Sequence, residues 1–283
     1  MPSRKSASRC SGASESRMST LQQPSAPIAP LLEVREVVVR FGGIVALDRI
    51  SFDIEADTIV GLIGPNGAGK TSLFNCLSRL YTPSSGSIRY AQRSILDLPA
   101  HRMAALGIGR TFQNLALFRS LSVLDNVRIG GHTRHPSSFW ADALKLQSSR
   151  QRQASCTAAA ERLIDHLGLA DVADQRVSDL PFGTQKRVEL ARALATNPKL
   201  LLLDEPACGL NHEEVEELGQ TITRVQRDFG LAILLVEHHM GLVMSISQKV
   251  VALNFGSKIA EGSPQQVQSH PDVIAAYLGA SVP

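Results

Sequence analysis

Eight consecutive residues, Gly64-Pro65-Asn66-Gly67-Ala68-Gly69-Lys70-Thr71, satisfy the phosphate-loop pattern G-x-x-x-x-G-K-[ST]. Glycines here let backbone N–H groups turn inward around nucleotide phosphates, where a side chain would collide. Lys70 supplies a point charge for those phosphates, and the Thr71 hydroxyl supplies a ligand for Mg2+. Ser72 continues into a helix whose positive N-terminus faces the same anion. Residues 64–72 are therefore the expected contacts of a bound nucleoside triphosphate.

A second reactive pair lies far along the chain. Leu200-Leu201-Leu202-Leu203 runs straight into Asp204-Glu205-Pro206. An acid at the carboxyl end of a strand beside a phosphate loop can hold Mg2+, usually through water. Glu205, one residue on, is placed to polarise a water for in-line attack on the γ-phosphate. Phosphate loop and acidic strand end together point to phosphoryl chemistry.

The elements that must position these groups can be read from patterning. Thr58 to Ile63 is an apolar run that feeds the phosphate loop as a strand. Glu33 to Val39, Ile50 to Ile54 and Gly86 to Tyr90 also read as strands, the first two joined through Phe41-Gly42-Gly43. From about residue 98 to 180 the texture becomes helical, with stretches at Ala100–Leu106, Val123–Ile129 and Ala158–Leu167 and a polar interval at 130–138. This segment reads as a helical lobe inserted into a nucleotide-binding core. The core resumes with a helix from Gly183 to Thr196, stopped by Asn197-Pro198. From His212 to Phe229 apolar residues recur at Val215, Leu218, Ile222, Val225 and Phe229, which is one face of a helix lying on a sheet. Leu231 to Val236 is the next strand, ending in Glu237-His238.

Bulk properties bound the partners. A chain of 283 residues, 43% hydrophobic and 19% charged, can bury a full α/β core. The net charge of +3 resides wholly in residues 1–30, where Arg4, Lys5, Arg9 and Arg17 face only Glu15. The remainder is neutral, so no basic face calls for nucleic acid. Those first thirty residues, rich in Ser, Pro, Ala and Arg, are expected to be a disordered tail. They resemble an organellar transit peptide in composition but lack the apolar centre of a signal peptide, and Met18 is an alternative start to Met1. No apolar run is long enough to cross a bilayer, so any membrane role must come through partners. Cys10, Cys76, Cys156 and Cys208 form no C-x-x-C pair and fit a reducing cytosol. His238-His239 suggests a metal pair, but neighbours on a strand point to opposite faces.

Leu180-Pro181-Phe182-Gly183-Thr184-Gln185, followed by Val188-Glu189-Leu190-Ala191-Arg192-Ala193-Leu194, resembles the signature segment of ATP-binding-cassette (ABC) ATPases. Thr111-Phe112-Gln113 is similar to the glutamine loop of that family, Gly209-Leu210-Asn211 to its D-loop with Asn for Asp, and His238 to its switch histidine. The resemblance runs from about residue 32 to 279 with the motifs in order. It implies a P-loop NTPase ABC cassette: a RecA-like α/β core, an antiparallel β subdomain and the inserted helical subdomain, over residues 31–255, with a C-terminal strand and short helical extension at 256–283. It implies ATP and Mg2+ as cofactors, with metal contacts at Thr71, Gln113 and Asp204, and catalysis by Glu205, His238, Lys70 and Gln113. Phe41 would stack on adenine, although a core aromatic is the competing reading. Gly183 and Thr184, at a helix N-terminus, would cap the γ-phosphate held by a second cassette. The signature departs from Leu-Ser-Gly-Gly-Gln at Pro181 and Phe182, so the serine hydroxyl is missing; proline is tolerated at a helix start.

Three features are similar to the ATPase subunits of branched-chain amino acid importers: Gly107 to Asn114 with Leu117-Phe118, Leu180 to Arg187 with Val236 to Met240, and Glu261 to Gly279. That implies a peripheral subunit on the cytoplasmic face of the inner (plasma) membrane. Its expected partners are two transmembrane permeases, a second cassette identical or paralogous, and indirectly a periplasmic solute receptor, with no nucleic acid. An exporter cassette of the lipopolysaccharide-transport type and a soluble non-transport cassette remain as alternatives. Ser263-Pro264 supplies an N-cap and first turn for a helix in the C-terminal extension.

Overall fold

A computed structural model describes residues 29–112, 115–132 and 147–278. Gln113, Asn114, residues 133–138 of the polar interval, residues from Gly279 onward and all of the expected tail except 29 and 30 lie outside the described residues.

Strands β1 (Leu32–Phe41) and β2 (Ile44–Ile54) form a hairpin turning at Gly42-Gly43. With β4 (Ser85–Tyr90) and β5 (Arg93–Ser94) they make an antiparallel sheet of order β2-β1-β4-β5. The second sheet contains β3 (Ile59–Ile63), β6 (Ile108–Arg110), β7 (Leu200–Asp204), β8 (Ala232–Val236), β9 (Lys249–Asn254) and β10 (Ser257–Gly262). Their order is β10-β9-β3-β8-β7-β6, parallel throughout except for the β9–β10 hairpin.

The apolar runs are continuous because both faces of this sheet are covered. Ile59, Ile63, Leu201, Leu203, Ile233, Leu235, Val250 and Ala252 enter one core, with the helices of the inserted segment and of the chain after β7. Val60, Leu62, Leu200, Leu202, Ala232, Leu234, Val236, Val251 and Leu253 enter the other, with the antiparallel sheet and helix α1 (Lys70–Leu77). Residues of alternating parity fall on opposite faces, as the pleat demands.

Among the described residues the remaining α-helices are α2 (Met103–Leu106), α3 (Val123–Gly131), α4 (Gln147–His166), α5 (Phe182–Ala195), α6 (His212–Phe229), α7 (Met240–Ile246), α8 (Pro264–Gln268) and α9 (Pro271–Leu278). Helix α6 is held mainly by packing. Val215, Leu218, Ile222 and Val225 are buried, each contributing roughly 1.5–3 kcal/mol, against about 1 kcal/mol for its N-cap. That cap is a full capping box: Asn211 Oδ1 accepts from Glu214 N at 3.0 Å, and Glu214 Oε2 accepts from Asn211 N at 2.9 Å. The last residue of the predicted stripe differs: Phe229 is 41% exposed and meets the His166 ring edge-on. Ser263 caps α8 with Pro264 in its first turn, as the sequence pattern requires.

Four sequence boundaries need correction. The helical insertion does not begin at 98, because Ile108–Arg110 pairs with Leu200–Leu202 in the core sheet; three residues are too few to display an alternation. Helix α4 starts at Gln147 rather than Ala158, its polar first turns having hidden it. Helix α5 starts one residue early, at Phe182, with Pro181 as N-cap. A boundary at 255/256 would cut the β9–β10 hairpin, whose Ser257 pairs with Asn254.

Candidate active site

Three adjacent parallel strands, β3, β8 and β7, bring the reactive groups together. Leu62 pairs with Val236, and Val236 pairs with Asp204. Their carboxyl ends therefore lie side by side, and each runs straight into a site segment: the phosphate loop, Glu237-His238 and Asp204-Glu205. Ligands of open parallel sheets bind at this edge.

The loop after β3 is shaped by contacts that exclude side chains. Gly64 has φ 152°, and a Cβ there would collide with the Leu253 carbonyl oxygen. Gly69 has φ 101°, and its Cβ would lie 2.7 Å from the Ala46 oxygen. Lys70 is buried, and its Nζ donates to the carbonyl oxygens of Gly64 at 2.6 Å and Pro65 at 3.0 Å. The lysine thus closes the loop on itself. Burial lowers its pKa, opposed by the charges of Glu205 and Asp204. Thr71 is exposed in the first turn of α1, with Ser72 half-buried beside it; Asn66 and Gly67 are exposed, Pro65 is half-buried and Ala68 buried. Burial pushes the phenol of Tyr277 in α9 up to about 12, opposed by the nearby backbone of Gly64.

At the end of β7 the Asp204 carboxylate is 5% exposed. Burial raises its pKa; Arg110, whose Nη2 donates to Asp204 Oδ2 at 2.9 Å, opposes the shift. Glu205 takes up positive φ (48°), and its Oε1 lies 2.8 Å from His238 Nε2. This places a carboxylate and an imidazole in hydrogen-bond contact at the open edge, a pair able to hold and move a proton.

Glu237 builds the ground beneath that pair. Fully enclosed, it accepts from Ala207 N at 2.6 Å through Oε1 and from His238 N at 3.0 Å through Oε2. One carboxylate thereby fixes both the segment after Glu205 and the backbone of His238. Residues 238 and 239 lie beyond the end of β8, so the expected strand alternation does not govern them. Their rings part for another reason: His238 turns to Glu205, and His239 meets His212 edge-on at 5.9 Å.

Phe41 is 47% exposed at the end of β1, which removes it from the core, and its ring meets Tyr81 edge-on with centroids 5.2 Å apart. Tyr81 carried no sequence signal of its own. Phe112, leading into the glutamine segment, donates its N–H to the buried Glu189 Oε1 of α5 at 3.1 Å. Burial raises the Glu189 pKa, opposed first by that Phe112 bond. At the start of α5, Pro181 and Phe182 are exposed and no side chain caps the helix. Phe182 packs on Gly209, where a Cβ would come within 2.9 Å of its ring. Asn211, placed by sequence in the D-loop, serves as the N-cap of α6. Sequence alone does not mark Arg110, Glu189 and Glu237 as site residues, because Asp204, Phe112 and Ala207, which they bind, are distant in sequence.

A phosphate loop, an Asp-Glu strand end and a histidine gathered on one sheet edge define a P-loop nucleotide-hydrolysing cassette. The ABC transporter family model matches residues 47–208, and the model described as branched-chain amino acid ATP-binding cassette transporter matches 257–283. The chain is 40% identical over 250 residues to the high-affinity branched-chain amino acid transport ATP-binding protein LivG of Salmonella typhimurium and of Escherichia coli K12, covering 88% of this chain and 98% of LivG. It is 39% identical to BraF of Pseudomonas aeruginosa over the same shares. A solved nucleotide-free ATP-binding cassette from an ABC transporter superposes with TM-score 0.77 at 26% identity, covering 89% of this chain and all of the other. The chain belongs to the ABC transporter family of ATP-binding proteins and is an ATPase of that family, with the C-terminal segment of its branched-chain amino acid branch.

Proposed function

We propose that the chain powers an importer of branched-chain amino acids or related small solutes from the cytoplasmic face of the inner membrane. The observation that carries this is the continuity of the likeness: LivG is matched over nearly its whole length, and the branched-chain segment spans β10, α8 and α9. Among the described residues no helix is long and apolar enough to cross a membrane, so two permease subunits must supply the path. A periplasmic receptor delivers solute to them.

Phosphates of ATP are held by residues 64–72, with Phe41 against the base. The Thr71 hydroxyl and the Asp204 carboxylate are hard oxygen donors of the kind Mg2+ prefers, with Gln113 as a third contact. When bound, the ion would supply charge neutralisation at the nucleotide phosphates. Glu205 polarises the attacking water, Lys70 stabilises charge on the γ-phosphate, and His238, held by Glu237, orients the water. Gly183 and Thr184 present backbone donors to the nucleotide of a second cassette, so ATP closes a pair and the closure moves the helical lobes and permeases.

Affinity purification of the tagged full chain from detergent-extracted membranes tests the assignment. Two multi-span permeases and a branched-chain amino acid receptor encoded with them should co-purify. Recovery of only soluble or nucleic-acid partners would overturn the importer reading.

A further inference from the structure

Arg110 joins α1 to the end of β7 through both terminal nitrogens of its guanidinium. Its head is nearly enclosed, 10% exposed, at the end of β6. Nη2 donates to Asp204 Oδ2 at 2.9 Å, and Nη1 donates to Asn75 Oδ1 at 2.9 Å and Ser78 Oγ at 2.8 Å. Its planar head lies 5.7 Å from the centre of the Phe74 ring and 5.1 Å from that of Phe112. These contacts are not scattered. Asn75 and Ser78 stand four and seven residues after Thr71, so Asn75 and the C-cap Ser78 continue the stripe of α1 that Thr71 begins. A single guanidinium therefore spans from the helix face that carries the Thr71 hydroxyl to the strand end that carries the Asp204 carboxylate. The adjoining Thr111 tightens the same corner: its N–H donates to Leu202 O at 2.9 Å, and its Oγ1 accepts from Asp204 N at 3.3 Å.

We propose that Arg110 is the positioning residue of the Mg2+ site, a fixed spacer that sets the separation of Thr71 and Asp204 and ties both to the segment entering Gln113. The proposal rests on the reading that Thr71 and Asp204 hold the ion. A planar fork with several donors can bridge three acceptors at fixed angles, which a lysine ammonium on a flexible stem cannot. Partners that orient metal ligands without touching the metal typically support metal affinity by about 10- to 100-fold.

The test separates metal affinity from nucleotide affinity in the full-length chain. Mn2+ binding to the ADP-loaded protein is measured by electron paramagnetic resonance, and ADP binding in EDTA by calorimetry. Arg110→Lys should weaken Mn2+ binding by about tenfold while ADP affinity in EDTA stays within about twofold. Asn75→Leu, which leaves Arg110, Thr71 and Asp204 in place, should weaken Mn2+ in the same direction by less, and it decides the matter if Arg110→Lys does not fold. Unchanged Mn2+ affinity, tighter Mn2+ binding, or an equal loss of ADP affinity in EDTA each overturns the proposal. Asp204→Asn serves as reference. If it leaves Mn2+ affinity intact, the metal-site reading itself fails; if it abolishes binding while Arg110→Lys has no effect, only the role of Arg110 fails. In the Asp204→Asn background, Arg110→Lys should add no further loss.

Discussion

At the carboxyl edge of the central sheet Lys70, Asp204 and the supporting Glu237 are enclosed and held by the chain itself, with His238 and Thr71 open to solvent, whereas the first residues of α5 lie open. Lys70, Asp204 and Glu237 are each more than nine-tenths buried, and each is bonded to neighbouring backbone or to a guanidinium. Pro181 and Phe182 are exposed, and the helix they begin ends in backbone donors without a side-chain cap. Burying charges costs free energy that only good geometry recovers, so the first region is worth building only if it works as a finished pocket. The second is cheap to leave in water and gains value only when something anionic arrives. Under the paired-cassette reading, that anion is the γ-phosphate on another chain. Under that reading the contrast would separate a site that binds nucleotide by itself from a surface that acts only in the pair.

Glu205→Gln should give the largest effect. Turnover measured by phosphate release should fall by about 100-fold or more, the usual worth of a positioned acid–base group, while ATP binding is retained and nucleotide-bound dimers accumulate. Unchanged turnover would remove Glu205 from catalysis and leave the enclosed edge without its assigned chemistry. Next in size is an alkaline effect confined to the enclosed region. Cys76 of α1 is fully buried, and burial pushes its thiol from 9.0 up to about 11, against the pull of Arg79. Because the folded value lies above the unfolded one, its contribution is complete below pH 9 and is lost as pH rises towards 11, by roughly 2–3 kcal/mol in all. Urea unfolding at pH 8.5 and pH 11 should show that slope, reduced in Cys76→Ala; identical slopes in the two proteins would mean that water reaches the back of the phosphate loop.

How much of this was legible in the sequence follows from how local each signal is. The phosphate loop, the Leu200–Asp204 strand and helix α6 each carry their evidence within a few residues, and α6 runs from His212 to Phe229 as its apolar spacing indicates. The Asn211–Glu214 capping box is equally local: an Asn followed three residues later by Glu, before an apolar stripe, is itself a helix-start signal, and the D-loop position of Asn211 is compatible with it. Arg110 and Glu237, by contrast, were silent. Their value lies in partners 94 and 30 residues distant, and nothing in a single sequence marks a charge as one that will be buried and paired. The pairing of Phe112 with Glu189 across 77 residues is of the same kind. Strand β6 was absorbed into the helical insertion because its three residues take their identity from β7 alone.

Gly183→Ala probes the open region directly. A Cβ there would approach Glu214 Oε1 at 2.8 Å, a flexible side-chain end that can move aside, so the fold should survive. The added methyl instead blocks close approach of an anion to the backbone, and turnover should fall by about tenfold while the isolated chain binds nucleotide as before. Equal loss of nucleotide binding would break the contrast, because it would make the start of α5 part of the same pocket as Lys70.

The smallest effect is expected at the half-exposed Phe41 at the end of β1, which the proposed nucleotide site would use as its rim. Phe41→Ala should weaken ATP binding by only about three- to tenfold, the usual return on one aromatic contact, because the phosphate contacts dominate. Tyr81→Ala removes only the ring edge that holds Phe41 in place and should cost less, about twofold. Fluorescence titration with a base-modified and a base-free triphosphate separates the two arms. Loss of affinity for ATP but not for inorganic triphosphate places Phe41 on the base, whereas equal loss for both would make it a prop for the phosphate loop. An unchanged ATP affinity in Phe41→Ala would mean that the rim binds nothing and that the enclosed edge alone accounts for nucleotide recognition.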